Sequence, residues 1–333
     1  MRIFFAAILS LALVSAQDAI FRASTELVAV DVLVENKKTG IPIRSLQRDD
    51  FEIYEDHARQ TISQFSLDTV PLSIVFLIDM TDSVRPVLKP LAQGAIGALH
   101  HLKSEDEIAV MLYSARADLT QNFTLDHAAV ARAIESASVM RPGKCGAKPE
   151  LCSLEAYFNE GVFQGAKRAH AASNSSNRPV IVWLTDNVPN VPDNTVHSEA
   201  ATLGLLRETG VVVCTLMERS AMSYELGAAY AHNPFLAPMR MMHPPGDVNK
   251  YASETGGIVV GATRREMADK LADLIDRIRS RYTLGYAPAQ SKPEGELCKI
   301  EVKLTRDAIA RLKEENGVRP GDIVIRARRG YQR

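Results

Sequence analysis

Residues 72–79 read "LSIVFLID", and 79–83 continue "DMTDS". An almost unbroken apolar run stops at a carboxylate, and two hydroxyls and a second acid follow at once. Such a run is expected of a parallel strand covered on both faces, where no alternation with water is needed. The residues after it have two readings. Thr81, Asp82 or Ser83 could cap a helix that begins near Val84. Alternatively, Asp79, Thr81 and Ser83 could present oxygens to a cation. Taken alone, the stretch favours the cap.

A second apolar strand, "PVIVWLTD" (179–186), ends at Thr185-Asp186. The elements between and beyond the two alternate. A helix is expected over about 84–103, strands at 107–114 and 118–124, and helices at about 126–137 and 154–172. After 179–186 come a helix at about 195–208, the strand "GVVVCTLM" and a helix at 248–255. The strand "GGIVVGA" and a helix at 263–280 complete the run. Residues 218–247, with Met217, Met222, Met239, Met241 and Met242 in or beside them, read as a packed irregular stretch. Alternating β and α elements indicate a doubly wound, mostly parallel α/β sheet with helices on both faces. In the strand order 3-2-1-4-5-6 the ligand crevice opens between strands 1 and 4, beyond their carboxyl ends. Asp79 and Asp186 end those two strands, so distant stretches bring two carboxylates to one crevice. The hydroxyls of Thr81, Ser83, Ser153 and Thr185 surround them. An all-oxygen set of hydroxyls and carboxylates suits a hard divalent ion, Mg²⁺ foremost, with Mn²⁺ or Ca²⁺ as alternatives. No nearby Cys or His favours zinc. With few protein anions on the ion, a carboxylate from outside could fill an open position.

The chain ends differ from this pattern. "TELVAVDVLVE" (25–35) alternates with period two, and "FEIYED" and "TISQF" are short strands. "YTLGYAP", "CKIEVKLT" and "DIVIRARRGY" follow residue 281, with a helix at 306–316. Each group has too few strands for an independent sheet. The expected arrangement is one small β-sandwich built from residues 17–70 and 281–333, with the α/β domain, 71–280, inserted between them.

Bulk properties limit the function classes. The 333 residues are 46% hydrophobic and 24% charged, with a formal net charge of -1. That balance points to no nucleic acid and no anionic membrane. The basic "IRARRGYQR" alternates with apolar residues and reads as a solvated strand face. At the other end, Arg2, an apolar run and Val14-Ser15-Ala16 have the form of a secretory signal over 1–16. The expected protein is secreted or periplasmic, with no transmembrane anchor after cleavage. Export permits disulfides. The four cysteines allow three pairings; Cys145 and Cys152, flanking "CGAKPELC", are the expected pair. Cys214 reads as a buried free thiol, Cys298 sits on an alternating strand, and Trp183 reads as core.

"FLIDMTDS" followed by "WLTDN" resembles the metal-ion-dependent adhesion site (MIDAS) of von Willebrand factor type A (VWA) domains. "FRASTELVAVDVLVENKKTGIPIRSLQRDDFEIYED", "YASETGGIVV", "RSRYTLGYAP" and the terminal "IRARRGYQR" are similar to the VWFA-related family of acidobacteria, over nearly the whole mature chain. The resemblance implies that Asp79, Thr81 and Ser83 stand for Asp-x-Ser-x-Ser, with Thr replacing the first Ser. It implies Asp186 as the final aspartate. "ELCSLEAYFNEG" resembles the family's Gly-Thr-Ala-Leu-Tyr-Asp stretch, which makes Ser153 the middle hydroxyl, pinned by Cys152. Asp82 and Asn187 each replace a Gly and, with Thr185, lie just outside the ligand set.

The resemblance further implies a recognition module, not an enzyme, whose partner is an exported or cell-surface protein offering Glu or Asp. Two alternatives stand beside it: a structural protein with a degenerate metal site, and a metal-dependent hydrolase using His243 as base. His100 and His101 read as structural or solvated. The sequence contains no His-Glu-x-x-His, Gly-x-Ser-x-Gly or phosphate loop.

Overall fold

A computed structural model describes residues 27–67, 69–140, 155–172, 174–188, 197–242, 244–288, 292–293 and 295–333. The N-terminal part contributes β1 (Val28–Asn36), β2 (Phe51–Glu55), β3 (Ala58–Gln60) and β4 (Ile62–Leu67). The central part comprises β5 (Leu72–Asp79), α1 (Arg85–Leu99), β6 (Glu107–Tyr113), β7 (Ala117–Thr124), α2 (His127–Val139), α3 (Phe158–His170), β8 (Arg178–Thr185), α4 (Glu199–Thr209) and β9 (Val212–Glu218). It continues through α5 (Ala221–Ala231), α6 (Ala237–Met242), α7 (Val248–Thr255), β10 (Val259–Ala262) and α8 (Met267–Arg279). The chain closes with β11 (Tyr282–Tyr286), β12 (Leu297–Leu304), α9 (Arg306–Asn316), β13 (Ile323–Arg326) and β14 (Gly330–Gln332).

The central sheet runs β10-β9-β8-β5-β6-β7, parallel except for the antiparallel edge strand β7. The α/β class read from the alternating elements is therefore what the chain forms. Every residue of β5 is buried, as its unbroken apolar run requires. Alternate side chains serve two layers. Ile74, Phe76 and Ile78 pack with α1, α2 and α8, whereas Val75 and Leu77 pack with α3, α4 and α7. Covering both faces removes water from the whole strand, so its carboxyl end delivers Asp79 into a dry setting.

The two chain ends mix in two antiparallel sheets, β13-β1-β11-β4 and β14-β12-β2-β3. Between them lies one core, in which Val30, Val32 and Ile53 meet Leu284, Tyr286 and Leu312. Neither end could bury these residues alone. Arg277–Glu35 (2.6 Å) and Arg178–Asp31 (2.9 Å) tie this body to the amino-terminal edge of the central part, and the buried pair Arg279–Asp106 (2.8 Å) fastens the end of α8 to the turn before β6. Gly256 adds a close approach. It ends α7 at φ 74°, and a Cβ there would lie 2.5 Å from the Ala327 carbonyl carbon.

Three expectations are corrected. Residues 218–247 are not an irregular stretch: α5 and α6 form there, since alanines favour helix and Asn233-Pro234 breaks the run in two. The terminal basic segment is not simply a solvated face. Arg326 reaches buried Glu35 at 2.8 Å, and Arg328 Nη2 donates to the Ala29 carbonyl at 2.7 Å. Two central helices are also shorter than expected, α1 ending at Leu99 and α4 starting at Glu199.

Cys214 and Cys298 are both buried and unpaired. The expected Cys145–Cys152 pair and signal segment 1–16 lie outside the described residues, as do Ser153 and His243. Among the described residues no helix is long and apolar enough to cross a membrane.

Candidate metal centre

The switch point lies between β5 and β8, which pair in register from Leu72↔Arg178 to Ile78↔Leu184. Asp79 and Asp186 emerge side by side from those strands. Asp79 is fully buried, and Asp186 is 5% exposed. Their surroundings decide between cap and cradle. The residue before α1 is Val84, and no side chain caps the helix. Thr81 instead turns back: its amide and its hydroxyl both donate to Asp79 Oδ1, at 2.9 and 2.7 Å. The Ser83 hydroxyl is 3.2 Å from that of Thr81. The hydroxyls of the "DMTDS" turn therefore fold inward instead of capping the helix end.

The other oxygen of Asp79 is held from below. Thr185 Oγ1 donates to Oδ2 at 2.9 Å, and the Tyr113 hydroxyl does so at 3.2 Å. Trp183 Nε1 donates in turn to the Tyr113 oxygen at 2.9 Å. Tyr113 ends β6 directly opposite Asp79. The carboxylate thus stands on a fixed platform of strand-end side chains.

Asp186 is less satisfied. Its Oδ1 accepts from the Val188 amide at 3.0 Å. Its Oδ2 is buried and has no hydrogen-bond partner among the described residues, a costly state for a carboxylate oxygen. Among the described residues no Lys or Arg pairs with Asp79 or Asp186. Burial first, then the neighbouring Asp79 charge, pushes the Asp186 pKa up to about 6; the nearby Ser83 hydroxyl moderates the rise. Burial likewise raises that of Asp79, against the hydrogen bonds it receives. Two desolvated acids in one crevice, with an orphaned oxygen, form an anionic cradle. The oxygen-only donor set fits a hard divalent cation.

The substituted glycine positions also resolve. Asn187 sits at φ 58°, in the left-handed region that glycine favours and asparagine tolerates. Its Oδ1 accepts from the Val248 amide at 3.3 Å, which ties the turn to α7. Asp82 turns away to Arg85 at 3.2 Å, its side chain half exposed. Its extra charge is thereby answered outside the cradle.

Sequence reasoning missed Tyr113 and Glu218. Each ends a strand beside β5 or β8, and Glu218, buried at the end of β9, also raises the Asp186 pKa. Their strand-end positions in "VMLY" and "TLME" were the available signal. A second acidic group, Glu55 and Asp56 with Cys298, lies in the sandwich. There Lys292 sits 2.5 Å from Asp56, and Tyr286 and Tyr331 donate to Glu55. His101 pairs with Asp276 at 2.8 Å, and His100 is exposed.

No family model and no curated protein matches the sequence. The likeness to the acidobacterial family therefore stands on the quoted sequence stretches alone. Several solved structures are similar in part. Proximal thread matrix protein 1 from the mussel byssus, with a zinc-occupied MIDAS motif, is 12% identical, at a TM-score of 0.42. The match covers 65% of this chain, which spans about half (50%) of the mussel chain. BatB from Bacteroides thetaiotaomicron is also 12% identical, over 62% of this chain and 98% of its own, at 0.42. The vWF domain of the pilus tip protein Mfa5 from Porphyromonas gingivalis is 10% identical, over 63% and 95%, at 0.40. The order of the central sheet, with the Asp79 and Asp186 strand ends at its switch point, is that of a doubly wound α/β fold.

Proposed function

We propose that the protein is a recognition module that holds one hard divalent cation, Mg²⁺ foremost, at the β5–β8 switch point. Asp79, Thr81, Ser83 and Asp186 would hold the ion, with Ser153 as a further hydroxyl. When bound, the cation would neutralise the cradle and offer an open position to a carboxylate from a partner. The observation that carries this reading is Asp186 Oδ2, buried with no hydrogen-bond partner among the described residues, beside a second desolvated carboxylate. Thr185 and Tyr113 orient Asp79, and Asn187 fixes the turn that aims Asp186. None of these roles requires a bond to be broken, so binding accounts for the arrangement without catalysis. The signal-like segment 1–16 supports export, and an exported protein or cell-surface component offering Glu or Asp would be the partner.

Calorimetry with Mg²⁺ and Mn²⁺ tests the ion step. Wild type should bind and Asp79→Ala should not; equal binding by both would remove the assignment. Loss of affinity in Ser153→Ala would add that hydroxyl to the set. Hydrolysis of a phosphate or peptide substrate that disappears in His243→Ala, with folding preserved, would favour the hydrolase reading instead.

A further inference from the structure

The segment that follows β9 has a surface at odds with its position. α5, "AMSYELGAAYA", is apolar nearly all round, and no residue of α6, "APMRMM", is buried. Tyr224, Phe235, Met241 and Met242 are 81%, 87%, 86% and 72% exposed. A helix apolar on every side normally sits inside a protein, and clustered exposed apolar side chains mark an interaction surface. The two helices are nonetheless braced against each other. Arg240 donates to the Tyr230 and Ala231 carbonyls, the latter at 2.8 Å, and lies over the Tyr230 ring at 5.2 Å.

This hairpin adjoins the candidate metal centre. It starts three residues after Glu218, which acts on Asp186 from the end of β9. Gly227 of α5 faces the turn beyond β8: a Cβ there would meet Val188 Cγ2 at 3.6 Å, two residues past Asp186. A side chain reaching the ion would therefore place its sequence neighbours beside exposed Met and aromatic groups. Methionines adapt to varied apolar shapes, which suits a surface that takes side chains of different form.

Resting on the reading above, we propose that the α5–α6 hairpin is the apolar half of the docking surface whose charged half is the ion site. The partner is a protein segment with one acidic side chain flanked by large apolar ones. Charge favours this occupant over a lipid surface. Between residues 221 and 242 the sequence holds Glu225 and Arg240 as its formal charges, and Arg240 is engaged within the hairpin. Helices that lie on membranes carry several Lys or Arg on a polar face, which this one lacks.

The test uses the full chain with Mg²⁺ and three synthetic peptides, followed by fluorescence anisotropy. One peptide has a central Glu flanked by Leu and Phe, one has serines in place of those flanks, and one has Gln in place of Glu. The Leu/Phe peptide should bind about tenfold tighter than the serine peptide, the scale of one large buried apolar side chain. The Gln peptide should not bind. Phe235→Ser combined with Met241→Ser should erase the preference and leave Mg²⁺ binding by calorimetry unchanged. Equal binding of the two Glu peptides to wild type, or an unchanged preference in the double variant, overturns the inference and spares the ion site. Absence of Mg²⁺ binding to wild type overturns the ion site itself. Two further results would also overturn the proposed occupant. One is dimerisation in sedimentation that the double variant abolishes, which would assign the hairpin to a second copy. The other is binding to phosphatidylcholine–phosphatidylglycerol vesicles that the double variant abolishes, which would assign it to lipid.

Discussion

The two edges of the central sheet treat buried acids in opposite ways. At the amino-terminal edge, Glu35, Asp106 and Asp31 each meet an arginine within 3 Å. Asp106 also accepts the Leu72 and Lys103 amides, both at 2.8 Å. At the carboxyl edge, Asp79 and Asp186 receive hydroxyls and amides but no cationic side chain among the described residues. Burying a charge is tolerable when it is paired and hydrogen-bonded, and costly otherwise. The paired edge is therefore complete for its acids, and two of its pairs, Arg277–Glu35 and Arg178–Asp31, join the two bodies of the molecule. The unpaired edge leaves two desolvated carboxylates that no cationic side chain among the described residues answers.

Breaking a pair at the complete edge should have the largest effect. Arg279→Ala leaves Asp106 buried and uncompensated, and should cost about 3–5 kcal/mol in urea unfolding. Added Mg²⁺ should not restore it. A loss under about 1 kcal/mol would mean that the edges differ less than their geometry indicates.

At the incomplete edge the effect is on affinity. Asp79→Ala should weaken Mg²⁺ binding by about a hundredfold or more, the loss of a charged ligand exceeding the 10–100-fold typical of outer-shell partners. Asp79→Asn, which keeps an acceptor oxygen for the Thr81, Thr185 and Tyr113 hydroxyls, should also weaken binding, and folding of both variants is checked by circular dichroism.

The pH response of the protein without added metal should expose the unanswered charge. The Asp186 carboxyl, ordinarily at 3.8, is raised to about 6 by burial first and by Asp79 second. Its folded pKa lies above its unfolded one, so the folded state retains a proton that the unfolded chain releases between those values. Stability from this group is present below about pH 4, falls as pH rises through that window, and is flat above it. The loss should be about 2–3 kcal/mol, and Asp186→Asn should abolish it. Saturating Mg²⁺ should offset the loss near neutral pH. Thermal melts at pH 5 and 7, with and without Mg²⁺, would show this. Stability that rises from pH 5 to 7 without metal, and equally in Asp186→Asn, would refute it.

The smallest effect should come from the platform. Tyr113→Phe removes the hydroxyl that supports Asp79 and receives Trp183. Mg²⁺ affinity should drop by about tenfold, the lower end for a residue that orients a ligand. Unchanged calorimetry would reduce Tyr113 to packing.

Much of this was legible in the chain. The unbroken "LSIVFLID" and "PVIVWLTD" gave their own strand type, because only a strand covered on both sides can be apolar at every position. Their terminal acids followed from the strand order. Residues 218–247 were not legible in the same way. Met and Pro richness suggested irregular packing, whereas local helix propensity won and left an apolar hairpin exposed. Tyr113 was hidden for another reason. Its role depends on register with Asp79 across two strands, which spacing along the chain does not encode.

By itself the sequence determined the class of the central sheet, the two carboxylates at its switch point and the oxygen character of their neighbours. Periodicity and strand termini are local properties, and they fix these features before any packing occurs. Only the tertiary structure decided that "DMTDS" is not a helix cap, since Thr81 turns to Asp79 and α1 begins after Val84 without side-chain help. It also decided which acids are answered and which are not. That is a matter of distance between residues far apart in the chain: Asp106 finds Arg279 173 positions away, whereas Asp186 Oδ2 finds no partner among the described residues.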